Sequence, residues 1–301
     1  MNCIVVGLGV QGNKRIEVLG ENLVSTVDKY HTARYKSITD VPTNIYSTVF
    51  NCVPDDDKLS IIEYCILNSK NIMVEKPLIL RENQFKNLEN RCNEAGILLT
   101  TAYNHRFEPH IHNTKKLLEK ERIGKILGIR IYYGNGTAHL VRKTKWKNEG
   151  LGVGIDIGSH LMDLLLYFFG KQDFDFNSRS WSYITDCPDR VVILGNFGQI
   201  SVNMEMTYLS WKNTFELEIY GDEGTIKINS LCKWSESILY LSKRVHPAGI
   251  PEQTQTVASK GDTTWALEID NFFKNIKNST PTDLSRDSQI QSMLISAGLE
   301  I

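Results

Sequence analysis

The stretch CIVVGLGVQG, Cys3 to Gly12, joins a short apolar run to three glycines, Gly7, Gly9 and Gly12. An apolar run without polar alternation reads as a strand buried on both faces. A helical pattern follows it, through Glu21. Between strand and helix this spacing permits a tight turn, close approach of backbone to a pyrophosphate, and close packing of helix on strand. The helix start at Val10, Gln11 and Gly12 then offers unpaired N–H groups and a positive dipole end to phosphate oxygens. A glycine-rich turn alone is a weak signal; the strand before it and the helix after it strengthen this one.

The alternation continues outward. LVSTVD (Leu23 to Asp28) is a second β-branched run. YSTVFNCV (Tyr46 to Val53) is a third, followed by Pro54 and a helical stretch from Asp57 to Asn68. NIMVEKP (Asn71 to Pro77) is a fourth, with a helix from about Arg81 to Ala95 after it. ILLTTAYN (Ile97 to Asn104) is a fifth. Apolar strands alternating with helices predict a parallel sheet covered on both faces. After about Ile123 the texture changes. ILGIRIYYGNG, SRSWSYIT, RVVILGNFG, QISVNMEMTYLS, TFELEIYGDEGTIKIN and ILYLSKR are strand-like, many with period-two alternation. They predict one open, mostly antiparallel sheet. A helix interrupts it at about Ile157 to Phe169, and two more close the chain, about Thr264 to Lys277 and Ser285 to Gly298. The fold class is α/β, with one domain over residues 1–122 and a second over 123–284.

Composition bounds the function. The chain has 301 residues, enough for two ordinary domains, with 41% hydrophobic and 23% charged content typical of a globular protein. Its 34 basic and 35 acidic residues leave a net charge of −1, so there is no electrostatic footprint for nucleic acid or an anionic membrane. KKLLEKER (Lys115 to Arg122) carries both signs and reads as a solvated helix face. No targeting segment precedes the first strand, and LMDLLLYFFG (Leu161 to Gly170) is too short to span a bilayer. Six scattered cysteines without a CxxC pair predict reduced thiols and a cytoplasmic protein.

Three further places carry chemistry. Asp28 ends the second strand, where a carboxylate can accept from ribose hydroxyls and repel a 2′-phosphate. That favours NAD over NADP, although Lys29 next door tempers the exclusion. Glu75-Lys76-Pro77 ends the fourth strand, at the sheet edge where ligands of parallel sheets bind. GLGVGIDIGSHLMD (Gly150 to Asp163) places Asp156 and His160 four apart at the start of one helical run, with Asp163 three further on. Such a pair shares a face and can work as an acid–base couple. An isolated Asp and His at that spacing reads more readily as a helix-start carboxylate with a structural histidine.

The glycine turn, the EKP, YNHRFEP (Tyr103 to Pro109) and the GxxxDxGxHxxD pattern together resemble the Gfo/Idh/MocA family of oxidoreductases, in order and spacing over essentially the whole chain. The resemblance implies an N-terminal NAD-binding Rossmann domain and a substrate-binding domain whose sheet forms a homodimer or homotetramer. It implies that the closing helix, 285–299, packs back on the first domain. Lys76 is then an active-site residue beside the nicotinamide and substrate hydroxyl. Asp156 and His160 bind substrate and move its proton, with His160 the acid–base. Val53, Pro54 and Glu75 touch the cofactor, Pro77 is cis, Asn104 serves cofactor and substrate, and Arg106 is structural. Lys58 stands where many members carry a His, and the short chain implies trimmed loops in the second domain.

The expected reaction is reversible oxidation of a secondary alcohol to a ketone, with hydride passing to NAD. Lys143, Lys145 and Trp146 suit a sugar ring bearing an anionic group, such as a nucleotide-linked sugar, or equally form a basic surface loop. His110-Ile111-His112 lacks a completing ligand, so no metal is expected and both histidines read as exposed. Two rivals stay open: a reductase of an imine or tetrapyrrole on the same fold, and a non-catalytic NAD-binding sensor or scaffold. Retention of Lys76, Asp156 and His160 argues against both.

Overall fold

The computed structural model describes residues 1–81 and 84–299, without the side chain of Trp146. Contacts group the chain into two units, Met1–Asn104 with Thr264–Gln289, and His105–Thr263 with Ile290 onward.

In the first unit, β1 (Cys3–Val6), β2 (Leu23–Val27), β3 (Thr48–Asn51), β4 (Asn71–Glu75) and β5 (Leu99–Ala102) form a parallel sheet of order β2-β1-β3-β4-β5. Its helices include α1 (Val10–Leu19), α2 (Asp55–Leu67) and α3 (Gln84–Glu94). Alternate strand residues feed two cores. Ile4, Val6 and Val49 pack with Ile62 of α2 and Phe85 and Leu88 of α3. Cys3, Val5 and Phe50 pack with Leu19 of α1 and with Ile269 and Phe272 near the C-terminus. Burial on both faces explains the unbroken apolar runs in the sequence.

The second unit contains α4 (Pro109–Glu119), β6 (Ile126–Gly134), α5 (Ala138–Arg142), α6 (Val153–Asp156) and α7 (Gly158–Phe169). Then come β7 (Phe174–Trp181), β8 (Arg190–Phe197), β9 (Ile200–Thr207), β10 (Thr214–Gly221), β11 (Gly224–Asn229), β12 (Ser237–Lys243) and β13 (Glu252–Ala258). They form one eight-stranded sheet, β13-β12-β11-β10-β6-β9-β8-β7. Only the β6–β9 pairing among them is parallel. Ile129, Ile131 and Tyr133 of β6 and Val202, Met204 and Met206 of β9 are buried at alternate positions, as one covered face requires. Strand β13 has no such alternation; EQTQTVA is almost wholly exposed, which is why its sequence did not announce it.

Two helices complete the chain, α8 (Thr264–Lys277) and α9 (Ser285–Ser296). The sequence put α8 with the second domain. It instead covers the α1 side of the first sheet, because Ile269 and Phe272 supply apolar surface that α1 does not. The division after Asn104 is also earlier than the expected residue 122, since α4 packs on α7 and β12. Only the start of α9 groups with the first unit, through Leu284. Leu294 faces Gly158, Leu299 faces Gly154, and the Ala297 carbonyl accepts from Ser178 at 2.5 Å, all within the second unit.

Candidate functional site

The glycine turn joins β1 to α1. Gly7 has φ +91°, a conformation that glycine adopts without strain. A Cβ there would stand 2.7 Å from the Cys52 carbonyl, and one at Gly12 would overlap the Gly7 carbonyl oxygen. Around Gly9 nothing lies within 4 Å of where a Cβ would be. Gly7 and Gly12 therefore serve the turn and its packing, while Gly9 leaves open surface. Among the described residues α1 has no side-chain cap, and Val10 and Gln11 are exposed at its start. Open backbone N–H groups beside an open glycine fit a dinucleotide pyrophosphate.

Asp28 follows β2. One carboxylate oxygen accepts from the Leu8 N–H at 2.6 Å and lies 3.1 Å from His31 Nδ1. The other accepts from the Tyr30 and His31 N–H groups, each at 2.7 Å. Burial pushes this carboxyl's pKa up, but the N–H bonds from His31, Leu8 and Tyr30 outweigh burial and hold it well below the usual carboxylate range. Asp28 thus pins the glycine turn at Leu8. Lys29 reaches Asp57 at 3.1 Å. Val53 and Pro54 lead from β3 into α2, whose first turn carries Asp55, Asp56 and Asp57.

Glu75, Lys76 and Pro77 leave the carboxyl end of β4, and the Lys76–Pro77 bond is cis. Arg15 of α1 donates to Glu75 Oε1 from Nε at 3.0 Å and from Nη2 at 2.9 Å. It also pairs with Glu268 of α8 at 2.7 Å and lies 4.4 Å from the Trp265 ring centroid. Burial works against the charge on Arg15, but Glu75 and Glu268 outweigh it and raise the pKa. Lys58 of α2, also buried, donates to the Pro77 carbonyl at 2.7 Å and pairs with Asp55. Burial lowers the Lys58 pKa, opposed by Asp55. Two buried cations therefore grip this turn on either side of Lys76. Asn104, after β5, donates from Nδ2 to Thr264 Oγ1 at 2.9 Å.

In the second unit, Asp156 ends α6 and His160 lies in the first turn of α7. The single helix expected here is interrupted at Ile157, which keeps helical dihedrals of φ −91° and ψ −39°. Ile157 still bonds Val153 and accepts from Leu161, so the spacing of Asp156 and His160 survives. Tyr208 donates to Asp156 Oδ2 at 3.0 Å. The His160 ring stacks on His105, with centroids 3.9 Å apart and planes 23° apart. Arg106 forks onto Asp163, its Nε 2.8 Å from Oδ2. Consecutive residues 105 and 106 thus dock on positions 160 and 163 of α7, and Asp163 serves Arg106. Lys233 donates to His105 Nε2 at 3.0 Å and to the Tyr133 hydroxyl at 3.1 Å.

Residues 111–227 match the GFO/IDH/MocA C-terminal domain. Over that segment the chain is similar to the Gfo/Idh/MocA family. Trans-1,2-dihydrobenzene-1,2-diol dehydrogenase of Xenopus laevis is 23% identical over 246 residues, 80% of this chain and 73% of the relative. The NADP(+) scyllo-inositol 2-dehydrogenase of Bacillus subtilis is 28% identical over 109 residues, 35% of this chain and 30% of its own length. Among solved structures, levoglucosan dehydrogenase in complex with NADH and L-sorbose superposes with a TM-score of 0.85 at 18% identity, covering 99% of this chain and 96% of that one. At that identity the likeness speaks for the fold alone.

Other expected positions fall as follows. Lys143 and Lys145 are exposed, and the Trp146 side chain lies outside the described residues. His110 is not exposed as expected; it is 1% exposed because α4 packs on β12, and its Nε2 lies 3.1 Å from the Ser237 carbonyl. Burial lowers its pKa. His112 instead lies 3.2 Å from the Tyr167 hydroxyl. No described helix is long and apolar enough to cross a membrane. Sequence reasoning missed Arg15, although Gly12, Arg15 and Leu19 form the buried stripe of α1, and a charge inside such a stripe is a signal. It also missed Lys233, for which no motif exists, and gave His105 no role.

Proposed function

We propose that this chain is an NAD-dependent oxidoreductase interconverting a secondary alcohol and a ketone on a sugar, polyol or nucleotide-sugar substrate. The observation that carries the reading is the Asp156–His160 pair, one turn apart, in a chain that also presents an open glycine turn. Bound nicotinamide supplies the hydride acceptor or donor. His160 takes the hydroxyl proton during oxidation and returns it during reduction. Asp156, which accepts from Tyr208, orients the imidazole or holds a second hydroxyl. Lys76, as ammonium, hydrogen-bonds the reacting oxygen and stabilises its alkoxide character. Glycines 7, 9 and 12 with Val10 and Gln11 hold the pyrophosphate, and Val53, Pro54, Glu75 and Asn104 line the rest of the cofactor's path. Asn104 also contacts substrate.

The preference for NAD rests on this chain's own charges. Asp28 and the acidic first turn of α2 disfavour a 2′-phosphate, and Lys29 is engaged by Asp57. The open sheet of the second unit, which exposes Leu127 and Leu194, is the surface we assign to a homodimer or homotetramer. Light scattering of wild type and Leu194→Asp tests that assignment.

A panel of polyols, free sugars and nucleotide sugars, read by NADH absorbance with NAD and NADP in parallel, tests the function. Lys76→Ala and His160→Ala lower turnover by about 10²–10⁴-fold, with NAD affinity within a few-fold of wild type. Tight NAD binding without turnover on any member supports the sensor reading instead. Equal affinity for NADH and NADPH removes the role given to Asp28.

A further inference from the structure

We propose that Lys233 is a positioning residue for the acid–base histidine: its ammonium sets the tautomer and plane of His105, and His105 is the stacking platform that sets His160. The proposal rests on the assignment of His160 as the acid–base group.

The argument starts from donor inventory. An ammonium donates and cannot accept. Lys233 Nζ lies 3.0 Å from His105 Nε2, so Nε2 is the acceptor and the ring proton sits on Nδ1. A second donor goes to the Tyr133 hydroxyl at 3.1 Å, and Nζ lies 4.7 Å from the Trp234 ring centroid. His105 is 2% exposed and also lies 5.6 Å, centroid to centroid, from Tyr133. Its plane is therefore held by Lys233 on one edge, Tyr133 on one side and His160 in the stack, 3.9 Å away. The Arg106–Asp163 fork holds the adjoining backbone to the same helix.

Lys233 is largely buried, and burial pulls its pKa down to about 8, opposed by Glu108, Asp262 and Asp156. These carboxylates come from the head of α4, the segment before α8 and the end of α6. Glu108 is itself buried, accepts from the Cys232 N–H at 3.2 Å, and has its pKa raised by burial. Lys233 and Tyr133 thus lie against the histidine pair, while Glu108, Asp262 and Asp156 act on Lys233 and the Arg106–Asp163 fork joins the residue after His105 to the helix of His160. Among them Lys233 bonds the imidazole that His160 stacks on. A cation so placed disfavours a second positive charge on the stack.

The test uses the full chain with ¹⁵N-labelled histidine, in wild type, Lys233→Met and Lys233→Arg, with thermal unfolding as the folding control. Wild type shows His105 as the Nδ1-protonated tautomer. Lys233→Met loses that tautomer preference, and the His160 titration midpoint rises by about one pH unit. The acid limb of kcat/KM moves up with it, while NAD affinity stays within about twofold; Lys233→Arg restores the midpoint towards wild type. Unchanged tautomer and midpoint in folded Lys233→Met overturn the proposal, whatever the activity. The expected NMR changes without turnover on any substrate uphold the positioning and overturn the assigned activity instead.

Discussion

The turn around Lys76 is held by two buried cations, Arg15 on Glu75 and Lys58 on the Pro77 carbonyl, whereas His160 is held by a stacked ring, His105, whose partner is Lys233. Both arrangements hold one side chain to which the proposed reaction assigns a role, but with different physics. Arg15 stays charged at any pH the fold survives, so its grip is insensitive to ordinary pH change. The His105–His160 stack is built from imidazoles, the side-chain type whose ordinary charge change falls nearest neutrality. The comparison places a permanent charge in the first cluster and a pair of ionisable rings in the second.

The largest way to break this contrast is Arg15→Met. It leaves the buried Glu268 and the half-buried Glu75 without their cation, and removal of one partner from a buried pair destabilises by about 3–5 kcal/mol. Urea unfolding measures it; a loss below about 1 kcal/mol would sink the clamp argument. Asp163→Asn comes next, on the other side of the comparison. It weakens the charged fork to Arg106, with about 1.5–3 kcal/mol of stability lost and turnover reduced as the 105–106 backbone loosens; unchanged turnover would detach the fork from the site.

Lys58→Met leaves the Pro77 carbonyl without its donor. The expected loss is about 1–3 kcal/mol, with kcat falling more than NAD affinity, read by steady-state kinetics and titration. An equal fall in both would mean that Lys58 serves the cofactor and not the turn. The smallest effect concerns Asp28 and acid. Its folded pKa lies below the unfolded value of about 3.9. Its contribution is therefore present above that value and lost as pH falls through the folded pKa. The stability gap between wild type and Asp28→Asn is full at neutral pH and closes below about pH 4; a gap independent of pH would remove the carboxylate from the account.

Much of this was readable beforehand where the signal is local. The five parallel strands were legible because burial on both faces leaves continuous apolar runs. The glycine turn, EKP and Asp156–His160 were legible because their spacing is set by one turn or one strand end. Strand β13 was not, since its partner β12 and not its composition makes it a strand. Helix α8 had the right bounds but the wrong domain, because an amphipathic stripe does not say which core it meets.

By itself, the sequence determined most of the elements and their order, since these depend on periodicity and short spacing, and it supplied the motifs on which the proposed site residues rest. Only the tertiary structure decided what holds those residues. Arg15 meets Glu75 across 60 positions and Lys233 meets His105 across 128. Such partnerships arise because a buried charge must find an opposite charge or an acceptor wherever the fold brings one, and no local pattern records that choice.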